Sequence, residues 1–280
     1  MFKFKLRNFK VDHSVMMRFS HSQKSNVTTP PNAKAHSTRT CAYGRLGNQI
    51  IRNVAVSLIA MKHNLKVEYC NNELIQQLGI ELFSGSKAYP HIIRLTDENY
   101  FNVCNSSNIN FALDPNFNFF QTKEITNFIY KHLRTDEVMS NIISKNPFNK
   151  RYNANNDLFI HIRLTDVANE NPGIAYYAKT IKTIQYEKLY ISTDDKTHAI
   201  VLNLFKLHPG ATLVDADEII TFQFASTCKH VILSHGSFSA IIGYLSFFSN
   251  VYYPECEPNK MWHGDIFSID DWTKVVMMTT

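Results

Sequence analysis

From residue 157 to residue 254 the chain repeats one pattern: a short apolar, β-branched run, a polar cluster, then a segment of helical length. The short runs fall at 158–162, 189–191, 212–214, 231–233 and 251–253, with helical segments near 175–181, 197–207, 218–228 and 240–248. Runs so short and so apolar read as strands covered on both faces. Strands that alternate with helices form a parallel sheet layered by helices. In such sheets ligands bind beyond the carboxyl ends of the strands. The polar clusters sit there in this sequence.

The chain opens with a related pattern. Residues 40–43 read as a short strand, Gly44-Arg45-Leu46-Gly47-Asn48-Gln49 as a turn, and Ile50, Ile51, Val54, Ala55, Leu58 and Ile59 as the apolar stripe of a helix that Asn48 would cap. Residues 66–69 follow as a strand, completing a βαβ unit. The middle is harder to read. Residues 74–82 and 124–133 carry helical spacing, 92–95 a strand, and the Asn/Ser-rich stretch 102–118 reads as loop. A polar segment with Pro147 marks a boundary. The expected organisation is therefore a basic, disordered tail over 1–40, a lobe over 41–150 and a second lobe over 151–280.

Four clusters bear on chemistry. His161 and Arg163 are two residues apart on one strand and share a face. Arg163 suits a phosphate, and Asp166 close by makes a strand-end salt bridge an equal alternative. Thr193-Asp194-Asp195 lies between a strand and a helix. Its aspartates suit a helix cap, a base or sugar hydroxyl, or a metal-bound diphosphate. Ser234-His235-Gly236-Ser237-Phe238-Ser239 opens a helix, either as a serine cap or as a set of donors for a diphosphate. Gly44 to Gln49 is a tight turn whose glycines allow close backbone approach, without the pattern of a dinucleotide or Walker loop.

Composition removes several classes. Charged residues make up 19% and the net charge is +5, too dilute for a nucleic-acid-binding stripe but compatible with an anionic ligand. Cys41, Cys70, Cys104, Cys228 and Cys256 are scattered, with no paired spacing for a disulfide framework or structural zinc. No run approaches the roughly 18–20 apolar residues of a membrane span. Asp12 is the sole acid before residue 40, and the first segment has no continuous apolar core. It reads as a tail, with a transit peptide as the alternative, and the expected location is cytoplasmic.

In order and spacing these clusters resemble glycosyltransferase family 11, the α-1,2-fucosyltransferases. Gly44 to Gln49 match that family's GRLGNQ segment residue for residue. His161, Arg163 and Asp166 match its HxRRxD segment, whose second arginine is Leu164 here. Thr193-Asp194-Asp195 and Ser234 to Ser239 match two further segments, although Ala240 and Ile241 replace the usual tryptophans. Weaker likenesses lie at Tyr100-Phe101, Phe119-Phe120-Gln121, Pro254 and Trp262. The similarity spans residues 41–272. It implies a GT-B-like α/β fold of two Rossmann-type lobes with parallel sheets and an interlobe cleft, the first lobe facing the acceptor and the second holding the nucleotide sugar. It implies an inverting transfer of fucose from GDP-fucose to a glycan hydroxyl, as in a galactoside 2-α-L-fucosyltransferase, with no metal and no other cofactor. Within that implication Arg163 binds the diphosphate, His161 the nucleotide, Ser237 and Ser239 the diphosphate, and Asp194 the nucleotide or sugar. Asp166 is the candidate general base, and Gly44, Arg45, Gly47, Asn48 and Gln49 form the cleft motif. Leu164 leaves one cation missing, for which Arg45 is the candidate replacement. Another GDP-sugar as donor, or a non-catalytic glycan- or nucleotide-binding module on the same fold, are the alternatives.

Overall fold

The computed structural model describes residues 34–255 and 263–276. The tail over 1–33, Cys256 and Trp262 lie outside the described residues.

The N-terminal half runs β1 (Thr38–Arg39), α1 (Leu46–His63), β2 (Val67–Glu68), α2 (Asn72–Gln77), β3 (Ile92–Arg94), α3 (Tyr100–Asn105), β4 (Ala112–Asp114), α4 (Lys123–Leu133) and α5 (Asp136–Lys145). β1 pairs with β2 and β3 with β4, both in parallel. Side chains stitch the two pairs together. Thr38 Oγ1 accepts the Leu113 N–H at 2.9 Å. Asn116 accepts from the Cys41 N–H at 2.8 Å and donates to the Arg39 carbonyl at 3.0 Å. α1 is buried nearly all round, as a central helix must be.

The strand expected at 40–43 lies earlier, inside the stretch read as tail, and α1 begins at Leu46 with no side-chain cap. Asn48 therefore sits in the first turn and does not cap the helix. The reason is where the backbone bonds of residues 41–43 go. The carbonyls of Cys41 and Tyr43 are taken by the Arg52 guanidinium and that of Ala42 by Gln49, so no neighbouring strand is needed. α3 and β4 lie in the stretch read as loop; both are short and are fixed by tertiary contacts that local composition does not encode.

The C-terminal half bears out the α/β expectation. It runs β5 (Leu158–Ile162), α6 (Ile174–Lys182), β6 (Leu189–Thr193), α7 (Ala199–Leu207), β7 (Thr212–Leu213), α8 (Glu218–Ala225), β8 (His230–Ile232), α9 (Ser237–Leu245), β9 (Asn250–Pro254) and β10 (Thr273–Val275). The sheet order is β10-β9-β8-β5-β6-β7 and every pair is parallel. The chain moves outward from β5 through β6 to β7, then returns to the other side of β5 with β8. β5 is thus the point where the winding reverses, and a crevice opens beyond its carboxyl end.

β5 also sorts its residues by face. Leu158, Ile160, Ile162 and Leu164 belong to the core under α6 and α7, with Tyr176, Tyr177, Val201 and Leu204. Phe159 belongs to the core shared by α8, α9 and α1. By alternation His161 and Arg163 continue the Phe159 face.

Candidate functional site

Two adjoining cavities lie beyond the β5 carboxyl end. The larger, about 570 Å³, is lined by Arg45, His161, Arg163, Asp194, Asp217, Glu218 and Phe238 among others. The smaller, about 260 Å³, is lined by Tyr43, Gly44, Arg45, Asn48, Phe119, Arg163, Asp166, His235, Ser237 and Phe238 among others. Arg45, Arg163 and Phe238 belong to both, so the two form one cleft with residues from both halves of the chain.

Two helix N-termini converge there. α1 begins after Arg45 and α9 after Gly236 (φ +89°), and neither has a side-chain cap. The free N–H groups of a helix start attract anions. Gly47 makes the convergence possible: a Cβ on it would lie 2.7 Å from the Phe238 nitrogen and the Ser237 carbonyl carbon. Gly47 therefore serves helix packing and does not line the cleft. Gln49 does not line it either. It is buried, donates to the carbonyls of Ala42 and Gly44, and accepts from Asn71, which holds the turn from behind. Of the six-residue motif, Gly44, Arg45, Leu46 and Asn48 reach the cleft.

Arg163 is almost fully buried and ion-paired with both Asp166 and Asp194. Arg45 arrives from the other half and meets the same carboxylates, at 3.2 Å from Asp166 and 3.6 Å from Asp194. Two cations thus share two anions. Leu164, where the resemblance set an arginine as the expectation, is fully buried on the opposite face of the β5 line. A cation there would point into the α6–α7 core, and Arg45 is the side chain that brings a second charge to the cleft.

The aspartates have different tasks. Asp194 accepts the Leu164 N–H at 2.7 Å and the Thr165 hydroxyl at 2.8 Å. Thr165 sits at φ +32°, a costly conformation for a β-branched residue, and Asp194 holds it in place. Asp195 turns away and accepts from the Thr197 N–H and hydroxyl at 2.9 and 2.8 Å, so the pair does not form a chelate. Burial pushes the Asp166 carboxyl up, but Arg163, the Thr165 hydroxyl and Arg45 outweigh it and hold the pKa below the usual range. While these pairs last, Asp166 is a weak base. Burial, helped by Arg45, pulls the Arg163 pKa down, with Asp166 acting the other way.

His161 is buried, stacked on Phe238 at 4.8 Å, and held through Nδ1 by Ser239 Oγ at 2.6 Å. Burial, then Arg163, lowers its pKa to about 3, so the imidazole is neutral at ordinary pH. Ser239 itself has no exposure, and its Oγ also accepts the Ser234 N–H at 3.1 Å. The expectation that Ser239 touches a diphosphate is corrected on that ground: it orients His161 from beneath. Ser237, at the start of α9, does line the cleft.

Residues that sequence reading passed over also shape the site. Phe238 forms part of both cavities and packs against Phe222 with ring centroids 4.2 Å apart and planes tilted by 30°. His235 lies in the smaller cavity with Nδ1 at 3.4 Å from His263 Nε2. Arg52 is fully buried behind the first turn, and a charged residue interrupting an apolar stripe was the signal that could have marked it.

No protein-family model and no curated protein matches the chain. Its fold is similar to solved structures of glycosyltransferases. The fucosyltransferase NodZ from Bradyrhizobium shares 12% identity over 77% of this chain and 94% of that one, with a TM-score of 0.44. POFUT1 in complex with GDP-fucose shares 10% over 78% and 98%, with a TM-score of 0.44. The E. coli heptosyltransferase WaaC with ADP shares 7% over 86% and 93%, with a TM-score of 0.45. These likenesses concern architecture alone. Among the described residues no group of three or more metal-ligating side chains occurs, and no helix is long and apolar enough to cross a membrane.

Proposed function

We propose that the chain is a glycosyltransferase that moves fucose from GDP-fucose to a hydroxyl of a glycan acceptor, with inversion and without a metal. The observation behind this reading is the meeting of Arg45 and Arg163, from opposite halves, on one pair of carboxylates beside two uncapped helix starts. A diphosphate entering the cleft takes over both guanidinium groups, whose fork geometry matches phosphate oxygens. The charge that grows on the leaving GDP is stabilised by the same two groups. Asp217 and Glu218 also line the larger cavity, and in this reading Glu218 and the Asp217 oxygen left over from capping α8 accept from the N–H edge of guanine. Residues 151–280 hold the donor in this reading, and residues 41–150 face the acceptor.

The same exchange activates Asp166. Once phosphates occupy Arg45 and Arg163, the carboxylate loses the pairs that depress its basicity. The acceptor oxygen then bonds to the anomeric carbon, the bond to the β-phosphate breaks, and Asp166 takes the hydroxyl proton. His161 contributes a neutral imidazole to the nucleotide, and Ser237 a hydroxyl and helix-start N–H to the diphosphate.

The full pairing of Arg163 with Asp166 and Asp194 favours one competing reading, a binding module without transfer. Thermal shifts with GDP, UDP and dTDP, followed by single-turnover GDP release from GDP-fucose with lactose, N-acetyllactosamine, cellobiose and chitobiose, separate the two. Preferential stabilisation by GDP, and acceptor-dependent release that persists in EDTA, are expected. GDP binding without transfer to any of the four would leave the module. No preference for GDP would remove the donor assignment.

A further inference from the structure

We infer that the stacked rings of Tyr43 and Phe119 form the platform on which a sugar ring of the acceptor lies, an inference that rests on the glycosyltransferase reading above. Tyr43 is 68% exposed, so its ring is open to a ligand. Its ring stacks on Phe119 with centroids 5.5 Å apart and planes 15° from parallel. Both rings line the smaller cavity, which also contains Asp166 and continues into the larger one through Arg45 and Arg163. Its volume, about 260 Å³, is on the scale of one sugar ring.

The platform is rigid for a visible reason. The buried Arg52 guanidinium donates to the Tyr43 carbonyl at 3.0 Å and to the Asn118 carbonyl at 3.1 Å, fixing the backbone at both rings. It also donates to the Cys41 carbonyl at 3.0 Å, and its carbon lies 5.0 Å from the Phe119 ring centroid. Its Nη2 is buried with no hydrogen-bond partner, so the network leaves one guanidinium nitrogen unmatched. Gly44 adds a close approach. It has φ +85°, and a Cβ on it would lie 2.8 Å from the Phe119 ring. Two chain segments remote in sequence are thus locked so that Phe119, held between Arg52 and Tyr43, backs the exposed Tyr43 ring beside the candidate base.

Aromatic rings hold sugars by simple chemistry. A pyranose turns several C–H bonds to one face, and their slight positive charge meets the negative face of the ring. The hydroxyls at the edge of the sugar stay available for polar groups, here Asp166 and Asn48. Ordering on a preformed platform costs less entropy than ordering on a mobile loop.

The test compares Tyr43→Ala and Tyr43→Phe with the wild-type chain, using whichever of the four disaccharides named above is the best acceptor. GDP affinity is measured by calorimetry alongside acceptor KM and kcat. The expected result for Tyr43→Ala is an acceptor KM raised at least tenfold, with kcat and the Kd for GDP within about twofold. Tyr43→Phe keeps the ring face and stays near wild type. An unchanged acceptor KM in Tyr43→Ala overturns the platform and leaves the donor reading standing. A parallel loss of GDP affinity in Tyr43→Ala also overturns it, since the ring then supports the fold of the turn. Absence of transfer by the wild-type chain to all four acceptors removes the enzyme reading and the platform with it.

Discussion

His161 titrates in a way that can be worked from its surroundings. Its folded pKa is lowered from 6.5 to about 3 by burial and by Arg163, whereas in the unfolded chain it returns to the ordinary value. A lowered histidine binds protons in the unfolded state first. The unfolded state therefore gains as pH falls through 6.5, and the loss of stability continues until the folded pKa is reached. Between pH 7 and pH 5 this single group costs about 2 kcal/mol of folding free energy, from a pKa of 6.5 unfolded and about 3 folded. His235, lowered to about 4, and His263 and His230, also lowered, act in the same direction, so the wild-type profile is steeper still. The comparison with His161→Gln isolates the one imidazole. Urea unfolding followed by circular dichroism at pH 7, 6 and 5 should show the variant losing about 2 kcal/mol less than wild type over that range. Its absolute stability will drop because the Ser239 bond is altered, but the slope carries the information. Parallel profiles, or the resonance that is lost in His161→Gln titrating near 6.5 in the folded wild type, would refute the burial argument.

Three other substitutions probe the cleft. Gly47→Ala places a Cβ against the α9 backbone and should cost about 1–3 kcal/mol of stability, read as a fall in Tm, with weaker GDP binding. Leu164→Arg buries an unpaired charge. It should lose about 3–5 kcal/mol in urea unfolding and gain no GDP affinity, and a gain without loss would contradict the facing of β5. Asp166→Asn removes a carboxylate that competes with the diphosphate for two arginines. Calorimetry should find GDP binding tightened about 2–5-fold, the scale of an exposed ion pair, while transfer is abolished.

Much of the C-terminal half was legible because its information is local. Apolar runs of strand length, helical spacing between them, and polar residues at each strand end gave the layers and the side of the sheet on which the cleft opens. The alternation along β5 correctly put His161 and Arg163 on one face. It also explains Leu164, which follows the apolar face and not the cleft. What was hidden depends on contacts between distant segments. Arg45 was named as a replacement cation through the resemblance alone; its pairing with Asp166 and Asp194, across more than a hundred residues of sequence, is announced by no local pattern. Ser239 looked like a ligand donor because serine at a helix start often is one, yet the packing of α9 under β5 buries it against His161. Gly47 and Gln49 read as parts of a binding motif, and their work is structural: one permits two helices to approach, the other ties down the turn. α3, β4 and α5 escaped notice because short or polar elements take their stability from neighbours.

The central claim is that Arg163 and Arg45 act together on a nucleoside diphosphate. It is tested most directly by measuring GDP affinity calorimetrically for wild type, Arg45→Ala, Arg163→Ala and the double variant. Each charge-assisted contact carries about 1.5–3 kcal/mol, so each single variant should bind GDP roughly 10–100-fold more weakly. The double variant should fall short of the sum, because the two groups share the same carboxylates and the same ligand. Wild-type affinity for GDP in folded Arg163→Ala would contradict the account.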